Sequence, residues 1–163
     1  MATSMRVTQI PLWFFVLSAS ILTGGGIFEH VVVTPLWAGA PPESVTQWQY
    51  GGIQRKFFII FSPLYYLCSL ALIIASRWMP RRQRTWALLA GLSGIIIGVA
   101  TFTFFIPILQ KTQVTRGAGL GGEEITDLVN RFKTANWGRW IVLIGGWLAG
   151  LRAFSLSSVE ESG

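Results

Sequence analysis

Four long apolar runs dominate this sequence: Ile10–Trp37, Phe57–Trp78, Thr85–Leu109 and Trp137–Phe154. At 1.5 Å rise per residue, runs of about 20 residues match a hydrocarbon layer of roughly 30 Å. Lipid offers no partner to an unpaired amide or carbonyl, so such runs must close their own backbone hydrogen bonds as helices. The expected fold is all-α, an integral membrane four-helix bundle forming one domain over residues 1–163. Arg6 ahead of the first run resembles a signal peptide. That run, however, continues past Gly24-Gly25-Gly26 to Val33, beyond the roughly 7–15 residues of a signal core, so a retained helix is expected.

Composition agrees and excludes other classes. Charged residues are only 12% of the chain, against roughly 25% in an average soluble domain, which argues against a soluble enzyme or a disordered chain. The net charge of +6 would suggest nucleic acid in a soluble protein. Here the basic residues sit mostly between apolar runs, where they anchor helices at headgroups. No basic block with interleaved aromatics extends beyond Arg77–Arg84, so no nucleic-acid partner is expected. Cys68 is the sole cysteine and can form neither an internal disulfide nor a cysteine cluster.

The connections differ in character. Ala38–Lys56 carries Pro41-Pro42 and Gly51-Gly52, a loop signature. Met79–Arg84 is a tight basic turn, and its charge density favours cytoplasmic termini. In Gln110–Asn136 a glycine-rich stretch leads to Glu123–Ala135, whose apolar spacing predicts a short interfacial helix before the last span. With four spans, Glu29, His30, Gln54, Arg55, Lys56, Gln110, Asn136 and Arg139 gather toward the end of the bundle opposite the termini.

Glu29 and His30 are the most unusual residues, because ionisable groups within a span are costly and turn toward protein or a water-filled cavity. Two readings stand. They form a proton-transfer or mixed metal site, or Glu29 pairs with Arg139 or Arg55 while His30 bonds a carbonyl or headgroup water. One histidine excludes a His-rich metal centre and a bis-histidine haem. Arg139 either snorkels to headgroups or pairs inward. Arg55 and Lys56 act as anchors or as a cationic rim attracting an anionic or phenolate ligand. Glu123 and Asp127, at i and i+4, hold a hard cation or complement the helix dipole. The tryptophans, Trp13, Trp37, Trp78, Trp86, Trp137 and Trp140 among them, fall near expected interfaces as a belt. Gly94-x-x-x-Gly98 and Gly146-x-x-x-Gly150 allow close helix approach, within the chain or to a partner. No P-loop, Gly-x-Ser-x-Gly, His-Glu-x-x-His or haem-attachment sequence is present, and no cofactor or metal is assigned.

Gly-Ile-Phe-Glu-His (Gly26–His30), Pro35-x-Trp37, Gly51-Gly52-x-x-Arg55, Pro107 and Asn136-x-x-Arg139 together resemble the small four-helix membrane proteins grouped with anthrone oxygenases. The resemblance covers most of the chain at the level of layout. It implies oxidation of an anthrone to an anthraquinone by molecular oxygen without a conventional cofactor. It also implies His30 as base beside Glu29, and Arg139 or Arg55 as stabiliser of the anion, with Arg55, Asn136 and Trp37 at an apolar aromatic ligand. A different class remains open: an accessory or scaffold subunit of a larger membrane complex, or a homo-oligomer, using the glycine faces. A transporter is less favoured, since no inverted repeat is evident.

Overall fold

A computed structural model of the protein describes residues 2–49 and 53–159, with side chains placed over 8–49 and 55–156. Gly51 and Gly52 lie outside the described residues, as do the side chains of Arg6 and Gln54. The helices are α1 (Ala2–Phe28), α2 (Thr34–Ala38), α3 (Glu43–Thr46), α4 (Ile53–Ala75), α5 (Arg81–Ala100), α6 (Ile106–Leu109) and α7 (Gly122–Val159). No strand occurs among the described residues. π-helical turns at Glu29–Val33 and Thr101–Phe105 join α1 to α2 and α5 to α6, and a third, Gln110–Val114, extends α6. Four helical spans result, Thr8–Ala38, Arg55–Trp78, Arg81–Val114 and Gly122–Leu156, each long and apolar enough to cross a membrane. The protein is a multi-pass membrane bundle.

Two of the π turns have a chemical cause. Pro35 and Pro107 follow the turns at Glu29–Val33 and Thr101–Phe105 by two residues. A proline ring cannot donate a backbone bond and clashes with the carbonyl four residues back, and a widened turn relieves that clash. The backbone N–H of Thr34 accordingly reaches back to Glu29, and that of Ile106 to Thr101. The helix expected at Glu123–Ala135 is present and runs without a break into the last span. No proline or glycine cluster interrupts it until Gly145-Gly146, so nothing in the chain separates the two parts.

Packing follows the rule for a bundle in lipid, with small residues between helices and large apolar ones outside. Ala90, Gly91, Ser93, Gly94 and Gly98 of α5 are buried, while Leu92, Ile95, Ile96 and Val99 face outward. A β-carbon at Gly94 would collide with Ser69, and one at Gly146 with Ser93. Both glycine motifs are therefore used inside the bundle. Polar ties cross between helices: Gln83 Nε2 donates to the Ala153 carbonyl (3.2 Å) and Trp147 Nε1 to Ser20 Oγ (3.0 Å). The hydroxyls of Tyr65 and Ser93 share a bond of 3.1 Å.

The apolar interior has two parts. One uses all four spans, with Leu12, Phe15, Tyr65, Leu72, Ala90, Leu143 and Ala153. The second lies toward the end carrying the Ala38–Lys56 and Gln110–Asn136 connections and includes Val33, Trp37, Val45, Trp48, Phe105, Val129 and Phe132, with none of the described side chains of α4. Trp13, Trp78, Trp86 and Trp137 are exposed as a belt requires, but Trp37, Trp48 and Trp140 are buried in these cores. The expected belt is thus only partial, because position near a run's end does not fix which face a side chain takes.

Leucine at Gly146 should lower stability in detergent by about 1–3 kcal/mol through overpacking against Ser93. Gly145, one residue earlier, has nothing within 4 Å of its would-be β-carbon. Gly145→Leu should leave the unfolding midpoint nearly unchanged, and thermal or steric-trap unfolding of the two variants checks the contrast.

Candidate functional site

A cavity of about 390 Å³ lies where the two cores meet, a volume in the range of small-molecule sites. Its deep wall comes from α1 and α7, through Leu22, Gly26, Phe132, Trp140 and Leu143. Its other wall comes from α4 and the third span, through Phe58, Tyr66, Ile97, Thr101 and Phe105 among others. The cavity is open where the second core lacks a contribution from α4. Its lining is overwhelmingly apolar and aromatic, with Glu29, Arg55 and Arg139 the charged groups on the wall.

Glu29 is only 4% exposed and lies on the π turn forced by Pro35. Its Oε1 accepts a hydrogen bond from Thr34 Oγ1 at 3.3 Å, one widened turn further along. Its Oε2 stands 3.8 Å from Arg139 Nη2, an ion pair looser than a charge-assisted hydrogen bond of about 2.8 Å. Oε2 has no hydrogen-bond partner in the structure. Of the two pairings left open by the sequence, the chain makes the one with Arg139. The Arg139 guanidinium is also stacked 4.6 Å from the centre of the Phe105 ring, a cation–π contact that holds it against the cavity wall. Phe105 in turn meets Phe132 edge-on at 5.7 Å, and Phe132 meets Trp37 at 5.1 Å. The charge is thus braced by three aromatic rings from three elements.

The other residues singled out from sequence take different places. Arg55 reaches the cavity wall and is exposed. His30 does not line the cavity. It packs edge-on against Trp137 (5.1 Å) and Trp140 (6.3 Å), and its Nδ1 is buried without a hydrogen bond. The carbonyl bond allowed for His30 is therefore not made at that nitrogen. Trp37 and Asn136 are fully buried behind the wall rather than on it. Both side-chain polar atoms of Asn136 and the indole N–H groups of Trp37 and Trp140 are buried without partners.

Tyr66 and Thr101 were not apparent from sequence. The Tyr66 hydroxyl donates to Thr101 Oγ1 at 3.1 Å, tying α4 to the third span beside the cavity. A tyrosine inside an apolar run is the only signal for it, and Tyr65 next to it carries the same signal while serving the core. Asp127 forms an exposed i,i+4 ion pair with Arg131 at 2.8 Å, worth only about 0.3–0.5 kcal/mol. Among the described residues no group of three or more His, Cys, Asp or Glu gathers as a metal site.

Comparison of the chain with protein-family models, curated proteins and solved structures gave no match in any of the three.

Breaking a buried pair leaves an uncompensated charge, at a cost of about 3–5 kcal/mol. Arg139→Met or Glu29→Gln alone should therefore destabilise the bundle, Arg139→Met the more. The double variant should lose less than Arg139→Met alone. A double-mutant cycle by unfolding in detergent checks this, and additive losses would show that the two residues act independently.

Proposed function

We propose that this protein binds an apolar aromatic or quinone-type ligand in the cavity and oxidises it with molecular oxygen, an oxygenase-like activity. The observation that carries the reading is the buried Oε2 of Glu29, without a hydrogen bond, on an apolar wall 3.8 Å from Arg139. An acceptor and a cation side by side in a dry aromatic cavity suit a ligand that gives up a proton and then carries negative charge on oxygen. The resemblance to the anthrone-oxygenase group, carried by Gly26–His30, Pro107 and Asn136-x-x-Arg139, points the same way.

In this reading Glu29 takes a proton from the acidic ring carbon of an anthrone-type substrate, and Arg139 stabilises the resulting enolate or phenolate oxygen. The anion adds molecular oxygen, and loss of water from the peroxide leaves the second carbonyl. One oxygen atom enters the product and the other leaves as water. Glu29 replaces His30 as the base because His30 stands off the cavity wall, against Trp137 and Trp140. His30 acts by positioning, as the neighbour of Glu29 on the π turn. Arg55 draws anionic ligand toward the mouth. With the basic Arg77–Arg84 turn and the termini cytoplasmic, the cavity belongs to the opposite half of the bundle.

The glycine faces on which an accessory-subunit reading relied are filled by Ser69 and Ser93 of the same chain. No specific observation favours that reading over the ligand-binding one.

The test is oxygen consumption and anthraquinone formation from anthrone by the purified protein in nanodiscs. Glu29→Gln should lower the rate by about 10²–10⁴-fold, the range for loss of a general base. His30→Ala should lower it far less. No turnover by the wild-type chain, with anthrone also failing to bind, would overturn the proposal.

A further inference from the structure

The lining of the cavity divides sharply by exposure. The lining residues of the first and fourth spans, including Leu22, Glu29, Phe132 and Leu143, are buried, with Arg139 half-buried. The exposed lining residues all come from α4 or the third span: Arg55, Ile59 and Pro63 on one side, Phe102, Gln110 and Val114 on the other. Ile59 is 59% and Phe102 63% exposed; Phe102 lies well inside the third span, and Ile59 and Pro63 lie one and two turns inside the second. The cavity therefore opens sideways, between α4 and the third span, at a depth where a bundle is surrounded by acyl chains. Arg55 and Gln110 mark the end of the opening nearest the loops.

The chemistry of this mouth is uneven along its length. Ile59, Pro63 and Phe102 present apolar surface to lipid. Pro63 lies inside α4 and has no N–H to donate to the Ile59 carbonyl one turn back. On the inner side the Tyr66–Thr101 hydrogen bond and the Gly98–Tyr66 contact hold the two helices together. The opening is thus bounded by a fixed seam toward the basic turn and by Arg55 and Gln110 toward the loops.

We infer that the ligand is a membrane-dissolved amphiphile, an aromatic or quinone-type ring bearing an apolar tail, which enters sideways from the bilayer between α4 and the third span. Its ring sits against Phe105 with the ionisable oxygen toward Arg139 and the acidic ring carbon toward Glu29, and its tail leaves past Ile59, Pro63 and Phe102 into lipid. This rests on the ligand-binding reading above and adds the route and the tail. An apolar mouth facing acyl chains costs nothing in lipid. The second core, where Trp37, Phe132 and Val129 are fully buried, gives no path from water, which meets the opening only at its loop end, by Arg55 and Gln110.

Two photoprobes in phosphatidylcholine nanodiscs test it. The first, 4-dodecylbenzophenone, reacts at its ring ketone. The second, an anthrone with a diazirine at the end of a dodecyl chain, reacts at its tail. Adducts are mapped by peptide mass spectrometry, with unlabelled dodecylanthrone as competitor. The expected result is competable ring labelling of cavity residues in the Phe58–Tyr66 and Thr101–Leu109 segments. Tail labelling should fall at Ile59, Pro63 and Phe102, about tenfold above the equally lipid-facing Leu17 and Ile141, a preference of about 1.4 kcal/mol over bulk lipid. Ring labelling in the cavity with tail adducts confined to residues 40–49 or 111–120 would overturn the lateral route and leave the binding reading standing. Tail labelling no greater at the mouth than at Leu17 and Ile141 would also overturn the route. Absence of competable ring labelling in the cavity would overturn both.

Discussion

The ion pair between Glu29 and Arg139 organises the half of this bundle that holds the second core. A lone carboxylate or guanidinium inside an apolar span is costly, and each of these residues meets that cost through the other. The pairing requires the first and fourth spans to meet in one register, with Gly26 against Trp140 and Trp37 against Phe132. It also requires Glu29 to point inward, which the π turn ahead of Pro35 arranges while giving Oε1 its bond from Thr34. Phe105 meets the guanidinium from the third span, again on a π turn set by a proline. Two prolines and one charge pair therefore position three of the four spans.

The cavity follows from what the fourth element does not do. α4 packs in the first core through Tyr65, Cys68 and Leu72, but none of its described side chains enters the second. Three helices and the short α3 close that second core by themselves, and the space beside α4 stays open below it. The aromatic rings that brace Arg139 also form the wall. The features that make the charge pair tolerable thus make a dry pocket with one acceptor and one cation. A pocket with that pair of groups is suited to stabilising charge that develops on a bound apolar molecule.

Much of the fold was legible because lipid leaves so few solutions. Run length gave the four helices, and the polar residues fell at the end of the bundle that topology placed opposite the termini. Glu29 stood out as a charge in a span, and Arg139 was one of two partners the sequence allowed. Direction was harder to read. His30, one residue from Glu29, turns toward Trp137 and Trp140, because side chains adjacent on a helix cannot aim at one point. Trp37, Trp48 and Trp140 are core residues although they sit where a belt tryptophan would, since linear position does not fix the face of a helix. The Tyr66–Thr101 tie joins residues 35 apart and had no local signature. Two of the three π turns were marked only by the prolines that follow them, which the sequence shows as breaks rather than as widened turns.

The central claim is that the space beside the Glu29–Arg139 pair holds a small apolar aromatic molecule rather than serving as packing for other subunits. Native mass spectrometry of the protein, extracted from its own membrane in mild detergent, tests it most directly. The account predicts a monomer or small homo-oligomer carrying one aromatic or quinone-type molecule per chain. That added mass should disappear when Arg139 is replaced by methionine together with Glu29→Gln, a pair chosen to leave no unpaired charge. Larger protein partners at fixed stoichiometry, with no bound small molecule, would contradict it.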